Sequence, residues 1–350
     1  MKISIGTNIK NGPWGGGNLF AINLRNYLLK EKHQVVMNLL DDDIDVILLT
    51  EPRKTSESSA FTHIDVERYR RYINPNVVVV HRINECDERK NTDYVNQYLV
   101  EANKVSNYTI FVSTWLRNLF LKHGISDVDS KVILAGANKE IFNSKGYKPW
   151  NKKEKLKIVT HHWGANWNKG FREYTVLDKL LEDKSINEKF EFTYIGNIPK
   201  EIKLKNTKVI APLSGERISN EIKKSHIYLT ASLNEPSGNH HIEAAQCGLP
   251  LLYINSGGIP EYCDGFGIKF DNSNFIEKLY ELRDNYDFYF NKLKNYPQSA
   301  DKMSEEYLST FNKLVRQNLT VSDHKKETSF VERFQRNKYL FIRNIYKGIK

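Results

Sequence analysis

The sequence predicts an α/β protein of two domains, each a mainly parallel sheet covered by helices. Three observations lead there. The chain has 350 residues, enough for about two domains with their own cores. Apolar strand-like runs alternate with helix-patterned segments through both halves, with no internal repeat or low-complexity tract. Residues 226–263 read strand, loop, helix, strand, loop, and both loops fall at carboxyl ends of strands, where an open sheet of this class receives its ligand. The expected division is a first domain over 1–150, a second over 151–320 and a basic tail over 321–350.

Lys2 to Thr7 alternates as the first strand and enters the loop Asn11 to Asn18, after which Phe20, Leu24 and Leu28 mark a helix. Gly15, Gly16 and Gly17 in that loop let backbone approach a phosphate or sugar closely, although such glycines also serve plain tight turns. Val35 to Met37 and Ile44 to Thr50 are the next strands. The run Asp41-Asp42-Asp43 precedes a strand instead of following one, so it is expected to be a solvated loop, and no metal is expected. Val77 to Val80 is a continuous apolar run, as in a parallel strand buried on both faces, and His81 is expected at its carboxyl end. Tyr108 to Ser113 leads into a helix with Trp115, Leu116 and Phe120, and Lys-rich residues 143–155 read as the linker.

The second half opens with the strand Leu156 to Thr160, which continues into His161-His162 and then through Asn166 to Lys169-Gly170. Neighbouring histidines on a strand point to opposite faces, so this pair is not expected to share a metal. Phe190 to Gly196 and Val209 to Ile210 supply strands, and Ser219 to Ser225 a helix. The central stretch follows. Its helix is expected from about His240 to Cys247, stopped by Gly248 and Pro250. Glu235 lies in the loop before this helix and Glu243 about one turn into it, so two carboxylates reach one crevice at different depths. Carboxylates take ribose or sugar hydroxyls, while backbone amides and cations hold phosphates; this is the division of labour that a sugar nucleotide requires. From Phe275 to Arg316 the pattern is helical.

Composition narrows the partners. Hydrophobic residues at 40% with 27% charged are ordinary for a soluble chain. No stretch approaches the ~18 apolar residues of a membrane span, and Met1 to Lys10 lacks the apolar core of a signal peptide, so a cytoplasmic protein is expected. Cys86, Cys247 and Cys263 show neither disulfide nor zinc spacing. The net charge of +10 favours anionic partners, and residues 325–350 hold eight Lys or Arg against two Glu. There, Phe330, Phe334, Phe341, Ile342, Ile345 and Ile349 share one helical face, with Arg333, Arg336, Arg343 and Lys350 opposite. Two readings stay open for this tail: a helix packed on the protein with its basic face in solvent, or an interfacial helix on an anionic membrane.

The order Glu235, Glu243, Ala244, Cys247-Gly248-Leu249-Pro250, Gly257-Gly258-Ile259-Pro260-Glu261 resembles the signature of the retaining GT-B glycosyltransferases of family 4. The resemblance covers residues 1 to about 320, closely over 226–263 and loosely elsewhere. It implies GT-B architecture: two Rossmann-like domains facing across a cleft, with acceptor on the first, nucleotide-sugar donor on the second, and the last helices crossing back. It also implies transfer to a hydroxyl with retention, without metal or separate cofactor, and a place in cell-surface polysaccharide or glycolipid synthesis, on a saccharide or lipid-linked acceptor.

By resemblance, Glu243 takes the ribose, Glu235 the transferred sugar, Lys169 the diphosphate, and His81 the reacting sugar. Gly238, Asn239 and His240, with Gly15 to Gly17, provide amides. The family usually has an arginine five residues before the lysine, where this chain has Gly164; that puts phosphate binding on other donors such as Asn166, Asn168 or the amides of Gly238 to His240. Two rival readings remain: a sugar-nucleotide epimerase on the same fold, and a non-enzymatic basic module engaging membrane or nucleic acid through the tail, though nucleic acid is not the expected partner.

Overall fold

Runs such as Val78–Ile83 and Leu251–Ile254 are buried along their whole length, the condition for strands covered on both faces by helices. They assemble into two parallel six-stranded sheets in a computed structural model that describes residues 1–12, 14–318 and 330–348. The first sheet comprises β1 (Lys2–Ile5), β2 (Gln34–Val36), β3 (Val46–Leu49), β4 (Val78–Ile83), β5 (Tyr108–Phe111) and β6 (Ser130–Val132) in the order β2-β1-β3-β4-β5-β6. The second comprises β7 (Leu156–His162), β8 (Phe190–Gly196), β9 (Lys208–Ile210), β10 (Ile227–Thr230), β11 (Leu251–Ile254) and β12 (Gly267–Phe270) in the order β12-β11-β10-β7-β8-β9. The strand order reverses between β1 and β3 in one sheet and between β7 and β10 in the other. Such reversals splay adjacent loops apart and open a crevice at the carboxyl ends.

The halves meet along a bonded seam. Glu261 accepts hydrogen bonds from the amides of Thr114 (2.8 Å) and Trp115 (2.9 Å), so a carboxylate of the second half caps the helix Thr114–Lys122 of the first. The Tyr262 hydroxyl donates to the carbonyl of Val112 and accepts from the amide of Ala135. The helix Ala300–Asn318 packs Met303, Tyr307 and Phe311 in the same hydrophobic cluster as Ile3, Phe20 and Val80.

The structure corrects or extends three readings. β4 does not stop before His81: the strand runs on to Ile83, with His81 paired in register to Leu49 and Thr109, because the alternating side chains of Arg82 and Ile83 are buried as well. The Asp41–Asp43 run is solvent-exposed, as expected, and is also ion-paired. Asp41 and Asp43 pair with Lys2, and Asp42 with Arg343 and Lys347. Arg343 lies in the helix Phe330–Gly348 and is 5% exposed, its Nη2 donating to the carbonyls of Leu40 (2.7 Å) and Asp41 (3.0 Å). The helix therefore docks through Arg343 and Lys347 and leaves Phe334, Phe341, Ile342 and Ile345 in solvent, with Arg333, Arg336 and Lys338 exposed as well; of the two readings left open, the one that packs the apolar face on the protein does not hold. Residues 319–329 and 349–350 and the side chains of 330–332 lie outside the described residues, so the expected positions of Phe330 and Ile349 do too.

Candidate functional site

Each reversal carries the loops singled out in sequence. After β7 the chain makes a 3-10 turn, Trp167–Lys169, closed by Gly170 at φ 98°. A Cβ at Gly170 would sit 2.7 Å from that of Ala231, so only glycine allows this turn to pack on the loop leaving β10. The packing brings Lys169 to Glu235. The Lys169 Nζ donates to Glu235 Oε2 at 2.5 Å, and both residues are buried. Glu235 Oε1 accepts from Arg89 Nε at 2.9 Å, and Arg89 belongs to the first half. Burial alone would push the Glu235 carboxyl up, but the guanidinium of Arg89 and the ammonium of Lys169 hold it well below the usual carboxylate range.

Glu243 lies on the helix Asn239–Gln246, two helical turns' worth of residues beyond Glu235, and its Oε2 is 2.9 Å from His161 Nε2 at the end of β7. This helix begins at Gly238 (φ 78°) with no side-chain cap, so its leading amides at Asn239 and His240 meet no capping group. A side chain at Gly238 would collide with the rings of His240 and His241 and with Glu235, so the sharp entry into the helix depends on glycine. Opposite this helix start stands the glycine loop of the first half: a Cβ at Gly16 would lie 3.2 Å from Asn239 Oδ1. Gly15 (φ 81°) precedes it, and Gly17 is exposed beside it.

The structure thus brings together Lys169, Glu235, Gly238, Asn239, His240 and Glu243, with Gly15 to Gly17 facing them. Asn166 is exposed at the tip of the loop before Lys169. His81 stands apart. It is fully buried, its Nδ1 donates to Asn103 Oδ1 at 2.9 Å, and its Nε2 is buried without a partner. Burial pushes its pKa down to about 4, so the ring is neutral. His240 has its Nε2 2.8 Å from Thr230 Oγ1, and burial holds its pKa well below the usual value. Among the described residues, no group of three or more His, Cys, Asp or Glu is arranged to hold a metal ion.

Sequence reasoning missed Glu85, Arg89 and His161. Arg89 Nη1 also donates to both carboxylate oxygens of Glu85, at 2.9 and 3.1 Å, and Lys90 pairs with Glu85 at 3.1 Å. The available signal was their place: Glu85 and Arg89 are one helical turn apart directly after a central strand.

Two facing parallel sheets, with charged loops at one reversal and a glycine loop at the other, define the GT-B architecture. Comparisons with known proteins agree. Residues 175–289 match the family model of glycosyl transferases group 1. The phosphatidylinositol N-acetylglucosaminyltransferase gpi3 subunit of Schizosaccharomyces pombe is 26% identical over 117 residues, which are 27% of this chain and 26% of that protein. The chain therefore spans about a quarter of the curated relative's length. Among solved structures, a glycosyltransferase from Rickettsia africae ESF-5 superposes with TM-score 0.63 at 15% identity, covering 92% of this chain and 99% of that one. Anabaena Alr3699/HepE in complex with UDP gives TM-score 0.65 at 13% identity, covering 89% and 100%. The second half thus matches glycosyl transferases group 1 over residues 175–289, and the fold of the whole chain is GT-B.

Proposed function

We propose that the enzyme moves a hexose from a UDP-linked donor to a hydroxyl acceptor, with retention at the anomeric carbon and without a metal ion. The observation that carries this reading is the meeting of Lys169 with Glu235 at the β7/β10 reversal, with Glu243 deeper on the adjoining helix. Lys169 neutralises charge that builds on the leaving diphosphate, where fixed electrostatics contribute most to a transition state. Glu235 takes hydroxyls of the transferred sugar once its cations turn to phosphate. Glu243, positioned by His161, takes the ribose hydroxyls. The amides of Gly238 to His240 and of Gly15 to Gly17 surround phosphate and sugar, and Asn166 closes over the diphosphate from the loop tip. His81 acts from beneath, fixing the end of β4 and so the backbone that meets the sugar. Donor then belongs to residues 151–320 and acceptor to 1–150. Anabaena HepE was solved with UDP-glucose, which supports UDP as the carrier.

The test is thermal stabilisation by UDP-, GDP-, ADP- and dTDP-linked sugars, since a ligand at 100 times its Kd stabilises the folded state by about 2.7 kcal/mol. UDP sugars are expected to act. Product formation with each acceptor class, followed by proton NMR of the new linkage with and without EDTA, checks retention and metal independence. Silence toward every nucleotide sugar ends the reading.

The exposed apolar face of the helix Phe330–Gly348 supports peripheral attachment to an anionic membrane, and with it a lipid-linked or cell-surface glycan acceptor. On this helix Arg333, Arg336 and Lys338 stay exposed and residues 333–348 hold no acidic residue, a match for anionic headgroups and a poor one for a second copy of itself. Sedimentation with phosphatidylglycerol vesicles should be lost when Phe334, Phe341 and Ile345 are all replaced by Ser. Equal sedimentation of that variant would exclude this surface.

A further inference from the structure

Arg89 has no part in the roles above, yet it is tied to the site at several points. Its Nε and the Nζ of Lys169 hold the two oxygens of Glu235, at 2.9 and 2.5 Å, so cations from opposite halves share one buried carboxylate. Arg89 lies in the single turn Asp87–Lys90 after β4. That turn is fastened to the second half's loops, because Asn168 Nδ2 donates to the Arg89 carbonyl (3.2 Å) and Asn234 Nδ2 to the Glu88 carbonyl (3.1 Å). Asn168 and Asn234 are the immediate neighbours of Lys169 and Glu235. The same two loops therefore set the positions of all three charged groups.

On its other flank Lys169 faces a glycine. A Cβ at Gly164 would lie 3.7 Å from Lys169 Cε, so a side chain there would stand beside the ammonium, and this chain has none. A diphosphate arriving at Lys169 meets its next cation across the seam. Guanidinium suits that task, since its fork matches phosphate bidentately and stays charged at every working pH.

We propose that Arg89 is the second cation of the donor site, delivered by the first half to the outer phosphate of the nucleoside diphosphate. This rests on the donor site being where the preceding section puts it. In the transfer, the bond from the anomeric carbon to the phosphate oxygen breaks and its electron pair stays with the phosphate. The acceptor oxygen bonds to the anomeric carbon, and its proton passes to that phosphate oxygen. Lys169 and Arg89 hold the departing charge from either side.

Calorimetric titration of the full chain with UDP and UMP tests it, because UMP lacks the outer phosphate. Arg89→Gln is expected to weaken UDP about tenfold, the scale of one charged hydrogen bond, and to leave UMP within about twofold. Arg89→Lys should recover most of the UDP loss. Glu85→Gln, which leaves Arg89 in place and removes a competing carboxylate, should tighten UDP. Equal losses for UDP and UMP would reduce Arg89 to a seam contact and overturn the proposal, as would unchanged UDP binding in Arg89→Gln or weaker UDP binding in Glu85→Gln. Wild-type protein that binds neither nucleotide would remove the donor site itself, an outcome visible before any substitution.

Discussion

The two sheets reverse their strand order in different company. At the β1/β3 reversal the loops offer backbone: Gly15, Gly16 and Gly17 after β1, and after β3 a Glu51–Arg53 pair closed on itself at 2.6 Å. At the β7/β10 reversal the loops offer charge: Lys169 after β7 and Glu235 after β10, joined to each other. One crevice side allows close approach, and the other can neutralise phosphate. The contrast also bears on His81, which lies on β4, one strand away from its sheet's reversal. It is packed neutral against Asn103, whereas Glu235, buried to a similar degree, is ionised between two cations. Distance from the reversal, more than residue type, separates the two fates.

The largest expected effects test that separation directly. Lys169→Met should lower kcat about 100-fold or more, roughly 3 kcal/mol of transition-state stabilisation, whereas Glu243→Ala should act mainly on the donor KM. His81→Gln should keep kcat within about threefold while lowering the melting temperature, since it disturbs a buried hydrogen bond. A folded His81→Gln protein as inactive as Lys169→Met would break the comparison.

Acid should expose a second difference. Burial lowers the pKa of His81 and His226 to about 4 and of His241 to about 3, and holds His162 and His240 well below the usual value. A depressed histidine pKa means that the unfolded chain binds the proton first, near 6.5, so stability is full above that value and is lost as pH falls toward the folded pKa. Each such ring contributes up to about 1.4 kcal/mol per pH unit across that window. Four of these five lie in the second half. Hydrogen exchange at pH 5 against pH 7 should therefore show the second sheet losing protection before the first; the opposite order would contradict the burial argument.

Next in size is the seam. Glu261→Ala removes the carboxylate from two amides at the start of Thr114–Lys122, and a lost charged cap costs about 1–2 kcal/mol. Calorimetry should give one lowered transition if the halves unfold together, or two separated ones if this cap is what couples them.

Much of this could be read from the chain because strand ends are local. Val78–Val80, Leu251–Ile254 and the glycines that follow strands announce themselves by period and composition, and the spacing of Glu235 and Glu243 puts them at one helix entrance. What could not be read was register and partner. His81 was expected at the carboxyl end of its strand because apolar residues stop at Val80, yet pairing carries the strand on to Ile83 and leaves His81 inside it. Arg89 reaches Glu235 from 146 positions away, and no local pattern encodes such a meeting. The tail stayed open between two readings for a related reason: an amphipathic period tells which residues share a face, but only the Asp41–Asp43 loop, holding Arg343 and Lys347, decides how the helix docks.

That loop supplies the smallest expected effect. It sits before β3, at the end of the first sheet away from both reversals. Asp42 is well exposed, so its pairs with Arg343 and Lys347 are screened, and Asp42→Asn should cost only about 0.2–1 kcal/mol. Arg343→Met is different. It leaves the Leu40 carbonyl without its donor, while the Asp41 carbonyl keeps the Tyr69 hydroxyl, and about 1–3 kcal/mol is the usual cost of such a loss. The double variant should then lose little more than Arg343→Met alone, because Asp42 acts largely through the arginine that has been removed. Strict additivity in the melting data would mean that Asp42 holds the helix by another route, with Lys347 as its remaining partner. Catalysis should be unaltered in all three proteins, since no charge at this end of the first sheet faces the donor crevice.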